Sequence, residues 1–193
     1  MRSEPNPSNR FAGAAAAATD GITSLSMLLI GMLWIGASAM QDPAIMARRA
    51  MEVPSAFWIQ DGLKLVSAAA SIVLIVAIRK LTHHAGWIRW PGFLAAACLI
   101  GNAALSIALM IGLASPSLVP FIGLLAFGAA LSGALWLVLL NGTALVARPW
   151  PPVISILGIG AGLVGFYPPL GMVAFALGLT WTCAMIWVFL HKA

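Results

Sequence analysis

Of 193 residues, 62% are hydrophobic and only 8% are charged, and the mean hydropathy is +1.01. Soluble domains carry about 25% charged residues, so neither a water-soluble globule nor a disordered chain fits this composition. The formal net charge of +5 then bears on membrane orientation and anionic lipid rather than on nucleic acid.

A helix crossing a ~30 Å hydrocarbon core needs about 20 apolar residues. Such runs are continuous here and rich in Ala, Leu and Gly, unlike the alternating strands of an outer-membrane barrel. The chain opens with Arg2, Glu4 and Arg10, then an alanine run at 14–18. That outline faintly suggests a signal peptide, but the acid in the basic region and the stronger apolar run just after it favour an inward extension of the first helix. Asp20 is then expected near the inner interface. The first span is expected at 22–40. Asp42-Pro43 makes a good helix start, acid as cap and proline at the first helical position. An amphipathic helix over 43–53 follows from Ile45, Met46, Met51 and Val53 against Arg48, Arg49 and Glu52, lying apolar side down on the outer surface.

The second span has its apolar run at 63–78 and reaches back to 55 through interfacial Phe57 and Trp58. It carries a polar stripe: Gln60, Lys64, Ser67 and Ser71 recur at helical spacing, and Asp61 stands three residues before Lys64. The third span, 92–114, holds Asn102 with Ser106 one turn on. The fourth is expected at 119–140, a shorter proline-bounded fifth at 150–167, and a sixth at 170–190. Trp90-Pro91-Gly92-Phe93 and Trp150-Pro151-Pro152-Val153 open the third and fifth spans after Arg89 and Arg148, through a duplicated hairpin or shared interfacial chemistry. Together with Trp58 and Trp87, both tryptophans suit a headgroup belt.

Six spans put the termini, the 79–91 loop and the 148–149 turn on one side. That side holds seven of the ten basic residues, so both termini are expected to be cytoplasmic. The expected fold is a single all-α domain over 1–193, a six-span transmembrane helix bundle. Gly158 and Gly162, with Ala161 and Gly165 one register on, form close-packing pairs that make the fifth span central or an interface, with a partner in its own chain or another.

Two functional readings compete. Asp61, Lys64, Ser67, Ser71 and Asn102 could join in an outward-facing cavity binding a small solute, ion or proton. The ordinary account pairs Asp61 with Lys64 near the interface and uses the serines and Asn102 to stitch helices together. Cys98 and Cys183 lie in apolar spans with no metal-ligand spacing, and His83, His84 and His191 lie outside membrane depth, so neither a metal nor haem or another cofactor is expected. No nucleophilic set forms at one depth, so an enzyme is not expected. Trp34, Trp136, Trp181 and Trp187 lie within spans, where packing against neighbours or lipid is the ordinary explanation.

Certain features resemble a group of uncharacterised bacterial six-helix integral membrane proteins of about this length, a domain-of-unknown-function type family. These are Arg10 and Gly13 entering the first span, Asp61 early in the second, Trp136, Ala144-Leu145, the basic–proline turn Arg148 to Pro151, and Leu157-Gly158 with Gly162. Pro151-Pro152 and Pro168-Pro169 depart from that pattern. The resemblance implies a fold and a bacterial inner membrane, not an activity. The function expected is a non-catalytic accessory or scaffold subunit among other membrane subunits or copies of itself in the bilayer; the alternative is a small transporter or channel using the second-span stripe.

Overall fold

The structure, a computed structural model, describes residues 7–36, 38–39, 43–82 and 86–191. All regular elements among them are helical: α1 (Pro7–Leu29, continuing as a π-helical turn Ile30–Gly36), α2 (Pro43–Glu52), α3 (Pro54–Thr82), α4 (Arg89–Met110), α5 (Val119–Ala147), α6 (Pro152–Gly165) and α7 (Gly171–His191). Five stretches are long and apolar enough to cross a membrane: Ser8–Gly36, Pro54–Thr82, Gly86–Met110, Pro116–Ala147 and Pro168–His191. The fold is an all-α bundle of membrane-spanning character. At 14 residues, α6 rises only about 21 Å.

The six long elements form a closed ring. Each packs on its neighbour in sequence, and α7 returns to pack on α1. Neighbours run antiparallel. Lys80 Nζ at the end of α3 donates to Asn9 Oδ1 at the start of α1 (2.6 Å), while Gln60 near the start of α3 reaches the Met27 carbonyl (3.5 Å). Between α1 and α7, Gly13 faces Phe189 and Gly21 faces Leu179 and Thr182. The two ends of the described chain therefore share one end of the bundle, here called basal. Arg10, Arg79, Lys80, Arg89 and Arg148 lie at this end.

Proline and glycine set the helix limits. Pro152 starts α6 at a position whose N–H would have no partner. The end of α4 comes earlier than the expected 114, because Gly112 turns left-handed (φ +74°) and Leu113 and Gly112 donate back to the carbonyls of Ala108 and Leu109. The alanine run belongs to the body of α1, so the first membrane helix begins well before residue 22. Its midpoint falls near Asp20, and the placement of Asp20 at the inner interface is corrected accordingly. Asp42, His83 and His84 lie outside the described residues.

Two apolar clusters fill the ring's ends. The basal one joins Ala14, Ala17, Leu74, Ile78, Trp150 and Phe189, among others. The opposite one holds Ile35, Ala39, Ala56 and Phe57, with Ile45, Met46, Ala50 and Val53 packed on it, so α2 sets much of its apolar side on protein. Met51, expected on that side, is 79% exposed. Trp150 also departs from expectation. It is 2% exposed and donates to Ser155 Oγ at 2.9 Å, whereas its counterpart Trp90 is 64% exposed beneath the Arg89 guanidinium. The matching tetrapeptides thus end in different surroundings, and Trp150 is a core residue rather than part of the headgroup belt.

Candidate functional site

Between the two clusters lies a cavity of about 240 Å³ with walls from α1, α3, α4, α5 and α7. Asp20 and Ser24 of α1 and Ser71 of α3 form its polar side. Trp136 of α5 with Phe175 and Trp181 of α7 form an aromatic side. Gly21, Gly92, Gly133 and Gly178 supply wall with no side chain to fill the space. At Gly92 the reason is close packing: a Cβ there would stand 2.7 Å from Ile75 Cδ1 and 3.1 Å from the Trp136 ring.

Among the described residues lining the cavity, Asp20 is the one that is ionisable. Ser67 Oγ donates to its Oδ1 at 2.6 Å and Ser71 Oγ to the same oxygen at 3.1 Å. Five other helical hydroxyls behave differently. Thr23, Thr82, Ser132, Thr180 and Thr182 each bond a carbonyl four residues back on their own helix, the usual resort of a hydroxyl in an apolar helix. Ser67 and Ser71 instead leave α3 to reach α1. No salt bridge to Asp20 occurs among the described residues. A charged side chain at membrane depth costs about 2.5–3.5 kcal/mol on insertion scales, and two hydroxyls soften that cost without cancelling the charge.

The residues singled out from sequence are distributed over three places. Ser67 and Ser71 meet at Asp20. Lys64 Nζ donates to Asp61 Oδ1 at 2.6 Å within α3, closing the pair on itself, and Asp61 Oδ2 is buried with no partner among the described residues. Asn102 is not part of the cavity: its Nδ2 donates to the Ile122 carbonyl at 2.7 Å, tying α4 to α5, and its buried Oδ1 has no partner among the described residues. The close-packing pairs of α6 find their partner inside the chain. Gly158 lies against the Asn141 side chain, and Gly162 against the Ala134 carbonyl and Val138. Ala161 is buried, and Gly165 stands opposite Ala134 and Ala174.

Two features were missed in the sequence. The first is the role of Asp20: the alanine run is expected as an inward extension of the first helix, but with the membrane span starting at 22 the acid falls at the inner interface instead of mid-span. The second is Asn141, fully buried, whose Oδ1 accepts from Trp181 Nε1 (3.0 Å) while its Nδ2 donates to the Leu137 carbonyl (2.9 Å). This bond fixes the indole of Trp181 edge-to-face with Trp136, centroids 5.9 Å apart. Among the described residues no group of three His, Cys, Asp or Glu could hold a metal ion. No protein-family model, curated protein or solved structure matches the chain.

Proposed function

We propose that this chain is a six-pass carrier of a small solute or ion, non-catalytic, with Asp20 serving solute and proton in turn. The observation that carries this reading is a carboxylate at mid-span, without an ion-pair partner among the described residues, that lines a cavity and is met by two serines from the facing helix. An ionisable group held inside a membrane bundle at such cost is a functional site by default. The sixth crossing is α6, which runs antiparallel to both neighbours. The basic residues of the basal end put both termini in the cytoplasm by the positive-inside rule. The resemblance of the sequence to bacterial six-helix membrane proteins supports a bacterial inner membrane as the location in this proposal.

The test is proton movement in proteoliposomes of the full chain with a pH dye inside, challenged with a panel of small cations and neutral polar solutes. The expected result is solute-dependent proton movement that falls at least about tenfold in Asp20→Asn and is unchanged in Ser132→Ala, whose hydroxyl serves only its own helix. Equal movement in Asp20→Asn and the unaltered chain refutes the reading.

One observation favours the accessory-subunit role. The last turn of α6 stands level with Ala134, so Phe121, Leu124 and Phe127 on the first half of α5 remain exposed. Co-purification with other subunits at fixed stoichiometry, with those three positions shielded from labelling, would support that role.

A further inference from the structure

The geometry points to a small organic ammonium ion as the occupant of the central cavity, an inference that rests on the Asp20 site proposed above. Three properties of the walls select this class. The first is charge. Asp20 is the one ionisable lining residue, and with both serine hydroxyls on Oδ1, its Oδ2 has no hydrogen-bond partner among the described residues. A carboxylate in an apolar cavity calls for a cation or a proton. It equally opposes carboxylate or phosphate ligands.

The second property is the aromatic wall. Trp181 is 2% exposed and its N–H is spent on Asn141, so it gives the cavity no donor and backs Trp136 edge-to-face. The ring surface turned to the cavity is that of Trp136 and Phe175. Aromatic faces attract cations, most strongly when water is excluded, and this is how quaternary ammonium groups are recognised.

The third is the scarcity of oxygen ligands. A calcium ion takes six to eight oxygen ligands. Here the hydroxyl of Thr182 is turned back to Gly178 O, which leaves little beyond Asp20, Ser71 and Ser24. A cation that carries its own apolar shell needs no such cage. The volume of about 240 Å³ exceeds the roughly 150 Å³ of an apolar cavity that takes benzene, room for a small amine or a quaternary ammonium with short substituents.

Ammonium and proton then compete for one carboxylate. The groups bonded to it are Ser67 and Ser71 from α3; α7 lines the same cavity with Thr182, and no ionisable lining group comes from α4, α5 or α7. Asp61 and Lys64, further along α3, are engaged with each other. Acidification is therefore expected to weaken ammonium binding.

The experiment is calorimetric titration of the full chain in mild detergent with choline and with 3,3-dimethylbutanol, its uncharged carbon isostere, at neutral and acidic pH. Choline is expected to bind more than about tenfold tighter than the isostere and more weakly in acid. Asp20→Asn should remove the preference, Trp136→Leu should weaken choline several-fold, and Trp187→Leu on the exposed face of α7 should change nothing. Equal binding of the two ligands, or binding of neither, overturns the inference without recourse to any variant. Labelling of Asp20 by a hydrophobic carbodiimide, read by mass spectrometry in membranes, separates the two levels of the argument. Asp20 labelled but neither protected by choline nor binding it overturns the ammonium assignment while the carrier reading stands. Asp20 unlabelled, with flux indifferent to Asp20→Asn, overturns both.

Discussion

Substituting alanine for glycine at two positions of α6 separates close packing from helix propensity. At Gly162 a Cβ would stand 2.6 Å from the Ala134 carbonyl oxygen, 2.6 Å from Val138 Cγ2 and 3.1 Å from the Val138 nitrogen. Carbon atoms rest comfortably at roughly 3.5–4.0 Å from their neighbours, so α6 must retreat from α5 by close to an ångström. The obstacle includes backbone, which cannot rotate aside. Overpacking of this kind costs about 1–3 kcal/mol. Gly160, on the same helix, has nothing within 4 Å of the added atom. Both substitutions gain the same helix propensity, about 1 kcal/mol, so their difference isolates the clash. Gly162→Ala is expected to be less stable than Gly160→Ala by about 1–3 kcal/mol, read from unfolding by dodecyl sulfate in mixed micelles with helicity as the signal. Equal stability of the two variants refutes the claim that α6 is held by backbone-close contact with α5.

Three further outcomes are expected in the same assay. Lys64→Met leaves Asp61, 1% exposed with one oxygen already unpartnered among the described residues, without its cation, and should cost about 3–5 kcal/mol; the double variant Asp61→Leu, Lys64→Met should recover most of that. Trp181→Phe removes the donor to Asn141 Oδ1 and leaves a buried acceptor, costing about 1–3 kcal/mol; a change indistinguishable from zero would show that the bond contributes nothing. Arg148 caps α5 in the left-handed region (φ 53°), a conformation costing a non-glycine residue about 1–2 kcal/mol, so Arg148→Gly should stabilise by about 1 kcal/mol, and destabilisation would contradict that account.

The bundle could be read from sequence because apolar run length is a property of composition alone. A stretch such as Pro54–Thr82 announces itself without knowledge of its neighbours. The first helix did not. Its leading half is alanine and glycine, weakly apolar yet strongly helix-forming or closely packed, as Gly13 against Phe189 shows. A reading by hydropathy places its boundary too late and carries Asp20 to the wrong depth. The stripe on α3 was visible by spacing, but spacing cannot tell which hydroxyls turn outward. Ser67 and Ser71 meet Asp20, and Ser71 lines the cavity, because α1 brings an acid opposite them. Asn102 does not, because its amide finds the Ile122 carbonyl across the α4–α5 contact. The partner of Gly158 and Gly162 was likewise undetermined by spacing, since a small-residue face fits any helix close enough to use it. Asn141 gave no periodic signal; a lone amide in an apolar run declares itself only when Trp181, forty residues on, is brought beside it.

The shortness of α6 has a consequence outside the protein. Its 14 residues rise about 21 Å against a hydrocarbon core of roughly 30 Å, and the turn beyond it carries exposed Phe166 and Tyr167 ahead of Pro168 and Pro169. With α6 as the sixth crossing proposed above, acyl chains beside this segment must splay or shorten to bring their headgroups down to that turn. Such deformation costs fractions of a kcal/mol for each ångström of mismatch, which over this length amounts to a few kcal/mol stored in the surrounding lipid. The elastic load falls where α6 bridges α5 and α7, two of the walls of the cavity. A thinner bilayer relieves it and a thicker one increases it, so acyl-chain length becomes a mechanical input to the spacing of Trp136 and Trp181.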